Sequence, residues 1–112
     1  MPSIRTSNSG IEALAIMEEY KVSHLPIVNN TKLLGIISDM DIFNLKMPEE
    51  PIGNHKLSLE ATYVFEQDHL YLVAEIMVRL KLSLVPVVNN DLEYIGSVEV
   101  KNVATALSKM LA

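Results

Sequence analysis

At 112 residues, 49% of them apolar, the chain has enough hydrophobic material for one compact core and too much for a disordered polymer. A formal charge of −5, with nine scattered bases and no tryptophan, argues against a nucleic-acid footprint, and the lack of cysteine excludes disulfides and thiolate metal sites. No stretch approaches the roughly 20 apolar residues that cross a bilayer and no secretory h-region opens the chain, so a soluble, cytoplasmic protein without membrane or nucleic-acid partners is expected.

Ile4 to Thr6 reads as a short strand. Ser9-Gly10-Ile11-Glu12 has the S-x-x-E form of a capping box and predicts a helix running to about Lys21. Leu25 to Val28 is a β-rich run closed by Asn29-Asn30, a pair suited to a turn with positive φ. Leu33 to Ile37 predicts a second strand and Asp39 to Leu45 a short helix. Pro48, Pro51 and Gly53 break the pattern, so residues 48–61 read as a linker. The order then returns: strand at Thr62 to Phe65, helix at Leu70 to Lys81, strands at Leu84 to Val88 and Tyr94 to Val98, and a helix at Lys101 to Met110. Continuous apolar strands imply a sheet covered on both faces, hence α/β packing.

The return is a sequence repeat. With an offset of 60, Ile16, Met17, Lys21, Ser23, Pro26 and Val28 meet identical residues. One extra residue in the next loop shifts the offset to 61 and aligns Gly35 with Gly96. Residues 1–47 and 62–112 are thus two copies of one small unit, neither of which can bury its apolar face alone. Pro26 and Pro86, which cannot donate to a ladder, are expected at strand edges shaping the space between the copies. The first helix of each copy carries two apolar stripes, Ile11, Leu14 and Met17 beside Ala13, Ile16 and Tyr20, and Leu70, Val73 and Met77 beside Leu72, Ile76 and Leu80. That is more than one packing face needs, and a homodimer is expected.

The motifs Leu25-Pro26-Ile27-Val28 and Gly35-Ile36-Ile37-Ser38-Asp39-Met40-Asp41, repeated as Val85-Pro86-Val87-Val88 and the degraded Gly96-Ser97-Val98-Glu99-Val100-Lys101-Asn102, resemble the cystathionine-β-synthase (CBS) domain. The resemblance covers almost the whole chain. The linker Pro48-Glu49-Glu50-Pro51-Ile52-Gly53-Asn54-His55 is similar to that of stand-alone bacterial CBS-pair proteins, while the segment that usually precedes the first strand is short here, as in a trimmed chain. The resemblance implies two pseudo-twofold-related β-α-β-β-α units (an α/β, α+β fold) packed through their sheets. It implies a regulatory, energy-sensing module that takes AMP, ADP or ATP in the cleft between the units. It further implies that Ser38 contacts phosphate, that Asp41 accepts hydrogen bonds from ribose hydroxyls, that His24 meets the phosphates, and that Leu25 and Pro26 after it belong to the same ligand site.

The residues support these roles physically, and they also support plainer ones. Ser38 stands where a strand becomes a helix, where unpaired N–H groups favour an anion, and His24 can charge beside a phosphate. Yet Ser38 with Asp41 is also a capping-box arrangement that needs no ligand, and Asp39 adds a second negative charge at the same helix start. In the second copy Glu99, Asn102 and Leu84 replace Ser38, Asp41 and His24, so phosphate would meet repulsion there and at most one nucleotide per chain is expected. His55 and His69 have no metal-site spacing, and no cofactor requirement is expected. No nucleophile elbow, H-E-x-x-H or glycine-rich loop is present, the four glycines being isolated, so an enzyme is not expected. Two other readings stand beside the nucleotide sensor: a ligand-free homodimerising interaction module, and a sensor of S-adenosylmethionine, whose cationic centre tolerates Asp39 and Glu99 better than ATP does.

Overall fold

The computed structural model describes residues 3–111. Its elements run α1 (Gly10–Tyr20), β1 (His24–Asn29), β2 (Lys32–Ser38), α2 (Asp39–Phe43), a 3₁₀ turn at Ile52–Asn54, β3 (Val64–Phe65), α3 (Leu70–Leu80), β4 (Leu84–Val88), β5 (Tyr94–Glu99) and α4 (Val100–Leu111). β1 and β2 form an antiparallel pair, and β3-β4-β5 a mixed sheet with β3 parallel and β5 antiparallel to the central β4. This is a mixed α/β arrangement of two small sheets and four helices.

Local chemistry sets the boundaries. Both halves of the Ser9–Glu12 capping box form: Glu12 N–H donates to Ser9 Oγ at 3.0 Å and Ser9 N–H to Glu12 Oε1 at 2.8 Å. Those bonds also hold the Glu12 carboxyl below its ordinary pKa, the backbone bond from Ser9 being the main cause. α1 and α3 stop identically, at left-handed Lys21 (φ 56°) and Lys81 (φ 55°), with Val22 N–H donating to Met17 O and Leu82 N–H to Met77 O, each at 3.0 Å. Asn30 takes the positive φ its turn requires, at 56°. In the second copy the extra residue moves that conformation to Leu92 (φ 64°), and Asn89 Oδ1 gathers the turn by accepting from the N–H groups of Asp91 and Glu93.

Three expectations change. The Ile4–Thr6 strand reduces to a single parallel bridge, Ile4 to Ile27. Pro26 and Pro86 are fully buried, and Pro86 lies in a central strand rather than at an edge. It is tolerated because β3 pairs only with Val87 and Val88, leaving no ladder bond on that side to call on a Pro86 N–H. The linker, finally, is more than a connector. Its Ile52 is buried, Leu57 and Leu59 pack on the first core, and Glu60 pairs with Ile36 by two backbone bonds of 2.8 and 3.3 Å.

There are two cores, one per copy, and β2 belongs to both. Ile37 packs with Ile4, Leu25, Ile27 and Ile42, whereas Ile36 packs with Val64, Val85 and Val103 of the other copy. Successive strand residues face opposite ways, so one two-residue step joins the units through their sheets. No helix among the described residues is long and apolar enough to cross a membrane.

Candidate functional site

Strand register brings the first two site residues together. In the β1–β2 pair His24 lies opposite Ser38, at the open end of the hairpin. Ser38 then caps α2, its Oγ accepting from Asp41 N–H at 3.1 Å while Asp41 Oδ2 accepts from Ser38 N–H at 2.9 Å. His24, Ser38 and Asp41 line one cleft of about 340 Å³. Its other walls come from Ile36, from Ser58, Leu59 and Glu60 of the linker, and from Leu80 and Leu82 of the second copy. Leu25 and Pro26 stand apart from it, fully buried, Leu25 in the first core.

The helix start carries less anion-binding power than the strand-to-helix junction promises. α2 is only five residues long, and its first-turn donors are taken. Asp39 N–H donates to Ser23 O at 2.9 Å, Met40 N–H to Asp39 Oδ1 at 2.7 Å, and Asp41 N–H to Ser38 Oγ. With Asp41 and Glu60 both at the cleft, its polar end is acceptor-rich. Such a surface matches hydroxyl donors better than phosphate oxygens. The Asp41 capping bond uses Oδ2, leaving Oδ1 outside the box.

His24 is engaged by the opposite copy. Its Nδ1 accepts from Ser83 N–H at 3.1 Å and lies 2.8 Å from Ser83 Oγ and 3.2 Å from Ser23 Oγ, while Ser23 N–H donates to Ser83 Oγ. An acceptor Nδ1 places the ring proton on Nε2. Burial pushes the His24 pKa below its ordinary value, against a smaller upward pull from Asp39 and Asp41. The ring is therefore a neutral donor near pH 7 rather than a counter-charge.

The corresponding end of the second copy is built differently. Asn102 Oδ1 accepts from Glu99 N–H at 3.2 Å, and Lys101 Nζ lies 3.8 Å from the Glu99 carboxylate. Leu84, in the place of His24, is fully buried.

Motif reading missed the contribution of Ser58, Leu59 and Glu60. The signal was there: Lys56-Leu57-Ser58-Leu59-Glu60 alternates apolar and polar with period two, the mark of an extended, half-buried segment. The Ser83 contact to His24 joins residues 59 apart, and nothing local announces it.

The CBS domain family model matches residues 1–47 and 57–109 of the chain. Among curated proteins, a homoserine O-acetyltransferase of Methanobrevibacter ruminantium is 27% identical over 109 residues, covering 96% of this chain and 22% of the enzyme. The chain spans about a fifth of the length of the curated relatives it matches. Among solved structures, a CBS domain pair/ACT domain protein of Thermotoga maritima superposes with a TM-score of 0.84 at 22% identity, over 100% of this chain and 92% of that one. CBSX2, an Arabidopsis thaliana CBS-pair protein, solved in complex with AMP, superposes with a TM-score of 0.83 at 24% identity, over 100% of this chain and 90% of that one.

Proposed function

The chain belongs to the CBS domain family, and from that premise we propose that it is a regulatory module taking one adenosine-containing ligand (AMP, ADP or ATP) per chain in the cleft of His24, Ser38 and Asp41. The observation that carries this reading is the composition of the cleft. Leu59 and Leu80 give the cleft an apolar edge against which a flat base can lie, and Asp41 stands at the polar end to accept from vicinal hydroxyls. The AMP complex of CBSX2 supports the same ligand class. Glu99 and Asn102 in the second copy support a single nucleotide per chain.

Such a ligand would touch the first copy, the linker and the second copy at once. It would favour the state in which all three are closed together, and by no more than its differential affinity for that state. Regulation of a partner, or of the chain's own assembly, then follows from ligand concentration. The match to an acetyltransferase covers too little of that enzyme to bring acetyl transfer to this chain.

A second reading rests on Asp41 and Glu60 at the cleft, which favour a cationic adenosyl compound such as S-adenosylmethionine over a polyphosphate. A thermal-shift series with AMP, ADP, ATP, NAD and S-adenosylmethionine tests both. A ligand at about a hundred times its dissociation constant adds roughly 2.7 kcal/mol, several degrees for a chain of this size. The proposal expects a shift with an adenine nucleotide that Asp41→Ala abolishes. A shift with S-adenosylmethionine alone favours the second reading, and no shift at all leaves an interaction module without a small ligand.

A further inference from the structure

One surface of the first copy has a chemistry that its counterpart in the second lacks. Ser3, Arg5, Ser7, Asn8 and Asn30 surround a cavity of about 420 Å³ whose floor is Ile16 and Val28. It lies at the turn end of the β1–β2 hairpin, whereas His24 and Ser38 of the cleft occupy the open end. With the offset of 60, Ile16, Val28 and Asn30 meet identical residues in the second copy. Ser3, Arg5, Ser7 and Asn8 instead meet Tyr63, Phe65, Gln67 and Asp68.

The frame under these residues is the same in both copies. Arg5 N–H donates to Asn8 Oδ1 at 2.8 Å and Asn8 N–H to Arg5 O at 3.0 Å. Phe65 N–H donates to Asp68 Oδ2 at 2.8 Å and Asp68 N–H to Phe65 O at 3.0 Å. An aspartate thus closes the turn as well as an asparagine does, and the first copy uses the neutral residue. That turn is also pinned from two sides: Thr6 N–H donates to Asn29 Oδ1, and the linker's Ile52 and Gly53 N–H groups donate to Asn8 O and Thr6 O. The second copy's surface satisfies itself, since Gln67 Nε2 donates to Asn90 Oδ1 at 3.3 Å and Tyr63 packs edge-on against Phe65. Ser7 has no amide to reach Asn30. Among the described residues Arg5 joins no ion pair, and the side chains of Ser3, Arg5, Ser7 and Asn30 make no hydrogen bond.

We propose that this pocket binds a phosphate group, with the Arg5 guanidinium as its charge partner and Ser3, Ser7 and Asn30 as neutral donors. A guanidinium presents its N–H groups in a fork that matches two phosphate oxygens, and hydroxyl and amide donors serve the remainder. A single phosphate is what the charge allows. Glu12 and Glu19 stand four residues before and three after Ile16 on α1, so they flank the floor and repel a longer polyphosphate. A cavity of roughly 150 Å³ already holds benzene, so this one has room beside the phosphate for a short carbon skeleton resting on Ile16 and Val28. A small phosphate monoester uses that room, and free phosphate makes the same polar contacts. The site lies outside the cleft and does not rest on the nucleotide reading.

Nuclear magnetic resonance titration of the isotope-labelled full chain, with sodium phosphate and separately with glycerol 3-phosphate at constant ionic strength, tests the site residue by residue. Amide shifts should saturate and centre on Arg5, Ser7, Asn8 and Asn30, and sodium chloride should produce none of them. Arg5→Gln removes an exposed charge and keeps the turn, whose bonds run from the backbone to Asn8. It should weaken binding at least about tenfold, the loss expected for charge-assisted hydrogen bonds. Arg79→Gln, the same change at the chain's other arginine, should bind as wild type does. Asp41→Ala should do so too, which separates this site from the cleft. Tighter binding of the ester assigns the site to a phosphate monoester and equal binding assigns it to free phosphate; both results uphold a phosphate site. Shifts that never saturate, shifts centred on Ser38 and Asp41, an equal response to chloride, or an Arg5→Gln chain that binds like wild type would each overturn it.

Discussion

The two copies share the left-handed stops of their first helices at Lys21 and Lys81, their hairpin register and their core positions, and they differ where each meets something outside itself. Gly35 lies under the linker, and a Cβ there would come within 2.7 Å of Leu59 Cβ, whereas a Cβ on its counterpart Gly96 meets nothing within 4 Å. Ile36 is buried in the core of the other copy, while its counterpart Ser97 is half-buried and bonded to Tyr94. His24 and Leu84, Ser38 and Glu99, and Asp41 and Asn102 continue the pattern. The first copy makes the contacts to the linker and the opposite core, and the second has the same scaffold with Leu84, Glu99 and Asn102 at the equivalent positions.

The largest effect that sharpens this contrast should come from Ile36. Ile36→Ala removes a buried side chain that joins the units and should cost about 2–5 kcal/mol in urea unfolding, whereas Ser97→Ala should cost about 1 kcal/mol for one hydrogen bond. Equal losses would mean that the copies are joined symmetrically. Next, Gly35→Ala should destabilise by about 1–3 kcal/mol because Leu59 and Glu60 must give way, while Gly96→Ala should stay within about 0.5 kcal/mol of wild type. An indifferent Gly35→Ala would show that the linker is not seated on β2. Loss of the cap in Asp41→Ala should cost about 1 kcal/mol, with a smaller loss for Asn102→Ala, whose box is only half formed. Among the cap variants only Asp41→Ala should impair nucleotide binding.

The smallest effect concerns pH. Burial lowers the His24 pKa in the folded chain, so around and below pH 6.5 the unfolded state binds more protons than the folded one. This contribution to stability is complete above the unfolded value and is lost as pH falls through it. Unfolding free energies measured between pH 7.5 and 5.5 should therefore fall more steeply for wild type than for His24→Leu, the residue the second copy uses. A steeper fall in the variant would reverse the sign and place the imidazole in a charge-stabilised setting.

What the sequence disclosed, and what it hid, follows the range of the interactions. The caps at Ser9 and Ser38 and the turn at Asn30 depend on neighbours within four residues, and period and residue type were enough to read them. The repeat located the copies, whereas the register that sets His24 opposite Ser38 appears only in the folded hairpin. The wall formed by Ser58, Leu59 and Glu60 was harder to see, because Pro48, Pro51 and Gly53 mark the segment as a connector and its pairing with Ile36 is tertiary. The engagement of the helix-start N–H groups beside Ser38 was hidden for the same reason. Whether a helix-start N–H is free depends on distant acceptors such as Ser23 O, which a motif does not contain.

The most direct test of this asymmetry is a binding stoichiometry. Equilibrium dialysis of the purified chain against radiolabelled AMP, carried to saturation, should give one nucleotide per chain for wild type and for Asn102→Ala, and none at the same concentrations for Asp41→Ala. Two equal sites per chain, or binding that survives Asp41→Ala and is lost with Asn102→Ala, would contradict the account.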